Sequence, residues 1–189
     1  AGAPGARAAG DEEEVSVGIY RAAVVGLGNI GWLADQDTAR PKPASHVAAW
    51  QFGPPQAILV AVCDSKTDRM TYKHALDYLS VEEMLCLAPP LDIVSVATPP
   101  DTHLEIVRAL AESEVRLIVC EKPLATTAKD AETMVDICQN TRTILLTNHG
   151  RRFHPGLRQV RADLERRIGR PWAATCWYSG GLWEGGSHA

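Results

Sequence analysis

The stretch Ala22-Ala23-Val24-Val25-Gly26-Leu27-Gly28-Asn29-Ile30-Gly31 decides the fold. Four small or β-branched apolar residues run without alternation, as in a strand covered on both faces. The Gly-x-Gly-x-x-Gly spacing closes that strand and precedes Ile30-Gly31-Trp32-Leu33, the strand-turn-helix setting of a dinucleotide-binding turn. In such a turn Gly26 allows the tight bend, Gly28 lets the backbone approach a pyrophosphate, and Gly31 permits close helix-strand packing. The helix start offers free N–H groups to the anion. Gly26, Leu27, Gly28, Asn29, Ile30 and Gly31 are therefore expected to bind the cofactor.

Outward from this turn, Val17–Val25, Ala57–Cys63, Leu91–Ala97, Arg116–Cys120 and Thr143–Thr147 have strand length and strand composition. The clearest helices are predicted over Asp101–Glu112 with Asp101 as N-cap, over Thr127–Asn140, and over Pro155–Ile168. Apolar strands alternating with helices imply an α/β fold with a doubly wound parallel sheet of the Rossmann kind.

Residues 1–14, small residues and then Asp11-Glu12-Glu13-Glu14, are expected to be a flexible tail. Residues 15–149 form the expected NAD(P)-binding domain. From 150 to 189 we expect the first helix and strand of a second, C-terminal α+β domain, with Trp172–Tyr178 as its strand.

Hydrophobic content is 46% and the formal charge −4, with no long cationic block, so a nucleic-acid partner is not expected. The absence of a roughly 20-residue apolar run and of a signal peptide points to a soluble, cytoplasmic protein without a membrane partner. The five cysteines are widely spaced and mostly within apolar runs, as reduced packing residues are. No His or Cys pair has a metal-ligand spacing, and no metal is expected.

Asp64 ends the second strand, where a carboxylate accepts the adenosine ribose hydroxyls, favouring NAD. It equally suits a turn cap, and Lys66 and Arg69 nearby would accommodate the 2′-phosphate of NADP. Asp64 follows Gly31 by 33 positions where about 20 is usual. An insertion around Asp35–Ser45, with Pro41 and Pro43 interrupting the first helix and Ser45 capping its restart at His46, accounts for the excess.

Two more strand ends, Ala97-Thr98-Pro99 with His103 following, and Cys120-Glu121-Lys122-Pro123, point at the same edge of the sheet, where ligands bind. Thr98, Pro99 and His103 are expected at the cofactor cleft. Lys122, pinned by Pro123 and partnered by Glu121, suits the orientation of a substrate hydroxyl and the stabilisation of its developing negative charge; a surface ion pair is the competing reading.

The glycine run, Ala97-Thr98-Pro99 with His103, Glu121-Lys122-Pro123 and Arg151-Arg152-Phe153-His154-Pro155, in this order, resemble the Gfo/Idh/MocA family (glucose-fructose oxidoreductase, inositol dehydrogenase) from about Ile19 onward. The resemblance implies that Lys122 is catalytic, Glu121 a cofactor neighbour, and Asn148 and Arg152 contacts to cofactor or substrate. The run Tyr178–Glu184 with His188 resembles the family's glycine-rich strand and histidine, which makes His188 the expected proton-transfer residue. A histidine so near a chain end is otherwise a solvated one. The family's aspartate beyond His188 has no counterpart before Ala189, and its members continue for well over a hundred residues, so a truncated chain and a homo-oligomeric parent are expected. The implied activity is hydride transfer between NAD (or NADP) and a hydroxyl of a sugar, polyol or sugar-nucleotide. NAD-dependent glycoside cleavage and a non-catalytic nucleotide-binding scaffold stand as alternatives.

Overall fold

A computed structural model describes residues 18–170 together with 172, 173 and 175. β1 (Tyr20–Val25) lies at the centre of a parallel sheet because its side chains are needed on both sides: Ala23 and Val25 join one apolar layer and Ala22 and Val24 the other. Its partners are β2 (Ala57–Cys63) on one side and β4 (Ile93–Val96) on the other. β3 (Leu76–Tyr78), β5 (Leu117–Cys120) and β6 (Ile144–Thr147) complete six parallel strands in the order β3-β2-β1-β4-β5-β6. The order reverses direction beside β1, the arrangement expected of the doubly wound class.

One face is covered by α2 (Val81–Leu87), α3 (His103–Glu112) and α4 (Ala128–Thr141). Met84, Val107, Leu110, Met134 and Cys138 meet Val94, Val96, Ile118 and Cys120 there, all essentially buried. The opposite face carries α1 (His46–Gln51), whose Val47 packs with Val24, Leu27, Val62 and Tyr72. Trp32 closes that layer edge-on to Tyr72 at 5.1 Å, and Trp50 donates to Ser95 Oγ at 2.8 Å. Burial, then neighbouring carboxylates, pushes the Cys63 thiol up to about 12; Cys120 reaches about 12 for the same reasons. These are inert packing groups, as is buried Cys138, whereas Cys86 is exposed.

Several expectations change. The first strand begins at Tyr20, not Val17. Asp101 is not the N-cap of α3: a 3-10 turn over Pro100–Thr102 leads into the helix, and Thr102 takes the cap position while its hydroxyl serves Thr98 and the Pro99 carbonyl. β3 and α2, absent from the sequence reading, are three and seven residues long, too short for a periodic signal. The helix predicted over Thr127–Asn140 is α4, Ala128–Thr141, with Thr127 as its N-cap, and α5 spans Pro155–Ile168 as predicted. Trp172, Ala173 and Thr175, the described residues of the expected Trp172–Tyr178 strand, are in no strand, and Trp172 is 96% exposed. Among the described residues no helix is long and apolar enough to cross a membrane.

Leu110 is fully buried between α3 and the sheet. Leu110→Ala is expected to lower unfolding free energy by about 2–5 kcal/mol through lost burial and a residual cavity, read as a lower urea midpoint at unchanged slope.

Candidate functional site

The carboxyl ends of β1, β2, β4 and β5 converge on the glycine turn. Val25 leads into Gly26, whose φ of 92° lies in the left-handed region that favours glycine. A Cβ on Gly26 would sit 2.8 Å from the Ala97 carbonyl and the Thr98 nitrogen, and one on Gly31 would run into the Gly26 carbonyl oxygen. The protein's own backbone therefore excludes side chains at both positions. At Gly28 a Cβ would meet only the Arg69 guanidinium, at 3.4 Å, an ordinary contact. That space is a cradle open to a ligand, so the turn fits a dinucleotide pyrophosphate.

The helix expected directly after Gly31 is replaced by a turn and a short 3-10 segment, Leu33–Gln36. The α-helix resumes only at α1, where Ser45 Oγ accepts from Ala48 N as the sequence implies. The join is direct: His46 N–H donates to Ile30 O and Val47 N–H to Gly31 O, each at 3.0 Å. His46 thus occupies the place of residue 34 in an uninterrupted helix, and the difference between 46 and 34 is an insertion of twelve residues. Subtracting twelve from the 33-position gap to Asp64 leaves 21, the usual separation. Lys42 holds the inserted loop together by donating to the carbonyls of Asp35 and Asp37 at 2.5 and 2.9 Å, beside the Asp35 carboxylate at 3.6 Å.

Asp64 lies buried at the β2 tip; Oδ2 accepts from Leu27 N–H at 2.7 Å and Oδ1 from Lys66 N–H at 2.8 Å. The turn-cap reading is therefore realised. An ionised carboxylate has about four acceptor positions, so capacity for ribose hydroxyls remains. Arg69 Nη1 is 3.8 Å from Asp64 Oδ2, over the glycine turn.

Glu121, at the β5 tip, is the centre of a buried polar cluster. Its Oε1 accepts from His46 Nε2 at 3.0 Å and from Asn148 Nδ2 at 2.6 Å; its Oε2 accepts from Lys122 N–H at 3.2 Å. Burial opposes the charged form, but the hydrogen bonds from His46 and Asn148, the His46 ring and the Lys122 amide together hold the carboxyl below the usual carboxylate range. An ionised carboxylate only accepts, so His46 Nε2 carries the proton. The expected Glu121–Lys122 ion pair is corrected: Glu121 binds the Lys122 amide, and the exposed Lys122 side chain has no hydrogen bond or ion pair among the described residues.

His103 is fully buried, its two ring nitrogens on the carbonyls of Thr98 and Leu124 at 2.9 and 3.0 Å. It holds two cleft loops to α3 rather than facing the cleft, which corrects the expectation of a direct cofactor contact. Thr98 is half-buried and Pro99 exposed, beside the glycine turn; Arg152 is exposed in a 3-10 turn over Gly150–Phe153. His188 lies outside the described residues. His46 escaped the sequence reading as a site residue, although the Ser45 cap had placed it at a helix start beside the turn. A cleft of about 200 Å³ is lined by Ile30, Pro43, Ala44, Ser45, His46 and Asn148, with Ala49 at its side. Among the described residues no group of three or more His, Cys, Asp or Glu could hold a metal ion.

Gly28→Ala is expected to keep stability within about 0.5 kcal/mol while weakening NAD binding. Gly31→Ala is expected to lower the unfolding midpoint itself; thermal melts beside calorimetry separate the two. Because Glu121 titrates below its ordinary value when folded, its contribution is present at neutral pH and fades as pH falls from about 4.3. Glu121→Gln should cost about 1–3 kcal/mol at pH 7, and the gap to wild type should narrow on acidification, as followed by urea titrations at pH 7 and in the acid range.

The model of an oxidoreductase family with an NAD-binding Rossmann fold matches residues 20–149. The D-apiose dehydrogenase of Paraburkholderia graminis is 31% identical over 139 residues, 67% of this chain and 35% of that protein. The myo-inositol 2-dehydrogenase of Thermotoga maritima is 28% identical over 158 residues, 80% of this chain and 42% of that one. The WlbA dehydrogenase from Bordetella pertussis, solved with NADH and UDP-GlcNAcA, superposes with a TM-score of 0.67 at 24% identity over 78% of this chain and 42% of that structure, a likeness of fold. The chain spans well under half the length of these proteins. With the six-stranded parallel sheet and the glycine turn in place, the chain belongs to the Gfo/Idh/MocA oxidoreductase family, through its NAD-binding Rossmann domain.

Proposed function

We propose that this chain is the cofactor-binding part of an NAD(P)-dependent dehydrogenase acting on a secondary alcohol of a sugar, polyol or sugar-nucleotide. The observation that carries the reading is the Lys122 tip: a lysine whose backbone is held by an ionised Glu121 while its ammonium is left without a partner among the described residues. Relatives named for D-apiose, myo-inositol and 1,5-anhydro-D-fructose support a polyhydroxylated substrate, and none of these names favours glycoside cleavage.

A bound nicotinamide would supply the acceptor for the hydride of the carbinol carbon. The residues present would hold the dinucleotide through the turn from Gly26 to Gly31, with Asp64 toward the adenosine ribose and Arg69 available to a phosphate. Lys122 donates a hydrogen bond to the substrate oxygen and stabilises the negative charge that grows there. His188 takes the hydroxyl proton, the role its motif implies. Thr98 and Pro99 wall the cleft, with His103 fixing the Thr98 carbonyl. Asn148 acts through Glu121, and Arg152 meets cofactor or substrate from the following turn. The segment from Gly150 belongs to a second unit; α5 supports this, since its side chains from Pro155 to Ala162 are exposed.

Calorimetry with NAD and NADP, beside an NADH-forming assay over a panel of sugars and polyols, tests the reading. Lys122→Ala should lower kcat by about 10²-fold or more with little change in NAD affinity. Retained turnover in that variant would remove Lys122 from the mechanism. Binding without turnover in the wild type would favour a nucleotide-binding scaffold.

A further inference from the structure

We infer that His46 is a positioning residue that couples the glycine turn to the Lys122 tip through Glu121. The inference rests on the reading of Lys122 as the residue that meets the substrate oxygen. His46 and Glu121 are 75 positions apart, and each side chain is only 9% exposed. The pair spans from the start of α1 to the tip of β5. At one end the His46 amide donates to Ile30 O, inside the turn that cradles a dinucleotide. At the other its Nε2 donates to Glu121 Oε1, and Glu121 Oε2 receives the Lys122 amide. The path runs Ile30 O, His46, Glu121, Lys122 N–H, and its two middle links, His46 and Glu121, are buried.

Asn148 alone leaves Glu121 half held. It supplies one donor to Oε1 from just past β6; His46 supplies a second donor to the same oxygen from the start of α1, and the two together restrict the carboxylate. His46 in turn cannot drift, because Ser45 caps its helix and the inserted loop is drawn around Lys42 just before it. The twelve-residue insertion therefore leaves the coupling intact, because the helix resumes on the carbonyls of Ile30 and Gly31. His46 touches neither the reacting atoms nor, on this reading, the substrate; it sets where the Lys122 backbone stands.

Residue-resolved amide exchange on the ligand-free full chain tests this without any turnover. His46→Ala should speed exchange at the Lys122 amide by about tenfold, the loss of roughly one charge-assisted hydrogen bond, while the Leu110 amide in α3 keeps its wild-type rate. His46→Gln, which retains an N–H donor, should restore the Lys122 rate. Unchanged exchange at Lys122, or equal acceleration at Leu110, overturns the coupling; if the Ala variant does not fold, His46→Leu against His46→Gln gives the same comparison. In steady-state assays His46→Ala should lower kcat about tenfold with KM for NAD unchanged, and His46→Gln should recover it. A wild type with no turnover would defeat the dehydrogenase reading alone, since the exchange result stands without it.

Discussion

Everything at the working edge of this sheet depends on one close approach of backbone to backbone, at the glycine turn. Gly26 lies against Ala97 and Thr98 of the β4 end, and Gly31 lies against the Gly26 carbonyl, with no room for a Cβ at either. That packing brings the ends of β1 and β4 together and leaves the Ile30 and Gly31 carbonyls pointing where a helix must begin. Gly28, free of protein crowding, is left for something that is not protein.

Charge is organised around the same edge by two carboxylates with different tasks. Asp64 binds the Leu27 and Lys66 amides and so braces the turn from the β2 side. Glu121 binds three donors from three elements and braces it from the β5 side. A buried carboxylate stays ionised only when such donors outweigh its lost hydration, and at Glu121 they do. The result is an asymmetric tip: the acid is satisfied internally, and the neighbouring lysine is left to the solvent side.

The inserted loop shows how a fold absorbs a change in chain length. Twelve extra residues stand between the glycine turn and the helix, which begins at His46 on the carbonyls of Ile30 and Gly31. Lys42 gives the loop an interior by collecting the carbonyls that a helix would otherwise have satisfied. Its exit, Pro43 to Ser45, becomes a wall of the cleft beside Asn148.

Much of this was legible in the sequence. Uninterrupted apolar strands, helices between them and the glycine spacing determine a doubly wound parallel sheet, because local composition and period decide which faces are covered. Ser45 announced its helix, since a cap is a contact between near neighbours in the chain. Lys122, Asp64 and the glycines were placed at the sheet edge by the same local logic. Only the tertiary structure decided that Glu121 serves the Lys122 amide and His46 rather than the lysine ammonium, that His103 is a buried strut, and that the 33-position gap conceals a spliced helix. The His103–Leu124 and His46–Glu121 contacts join residues 21 and 75 positions apart, and the others depend on how a side chain turns or a loop closes in space; no pattern within a window of sequence records which partner a side chain will meet.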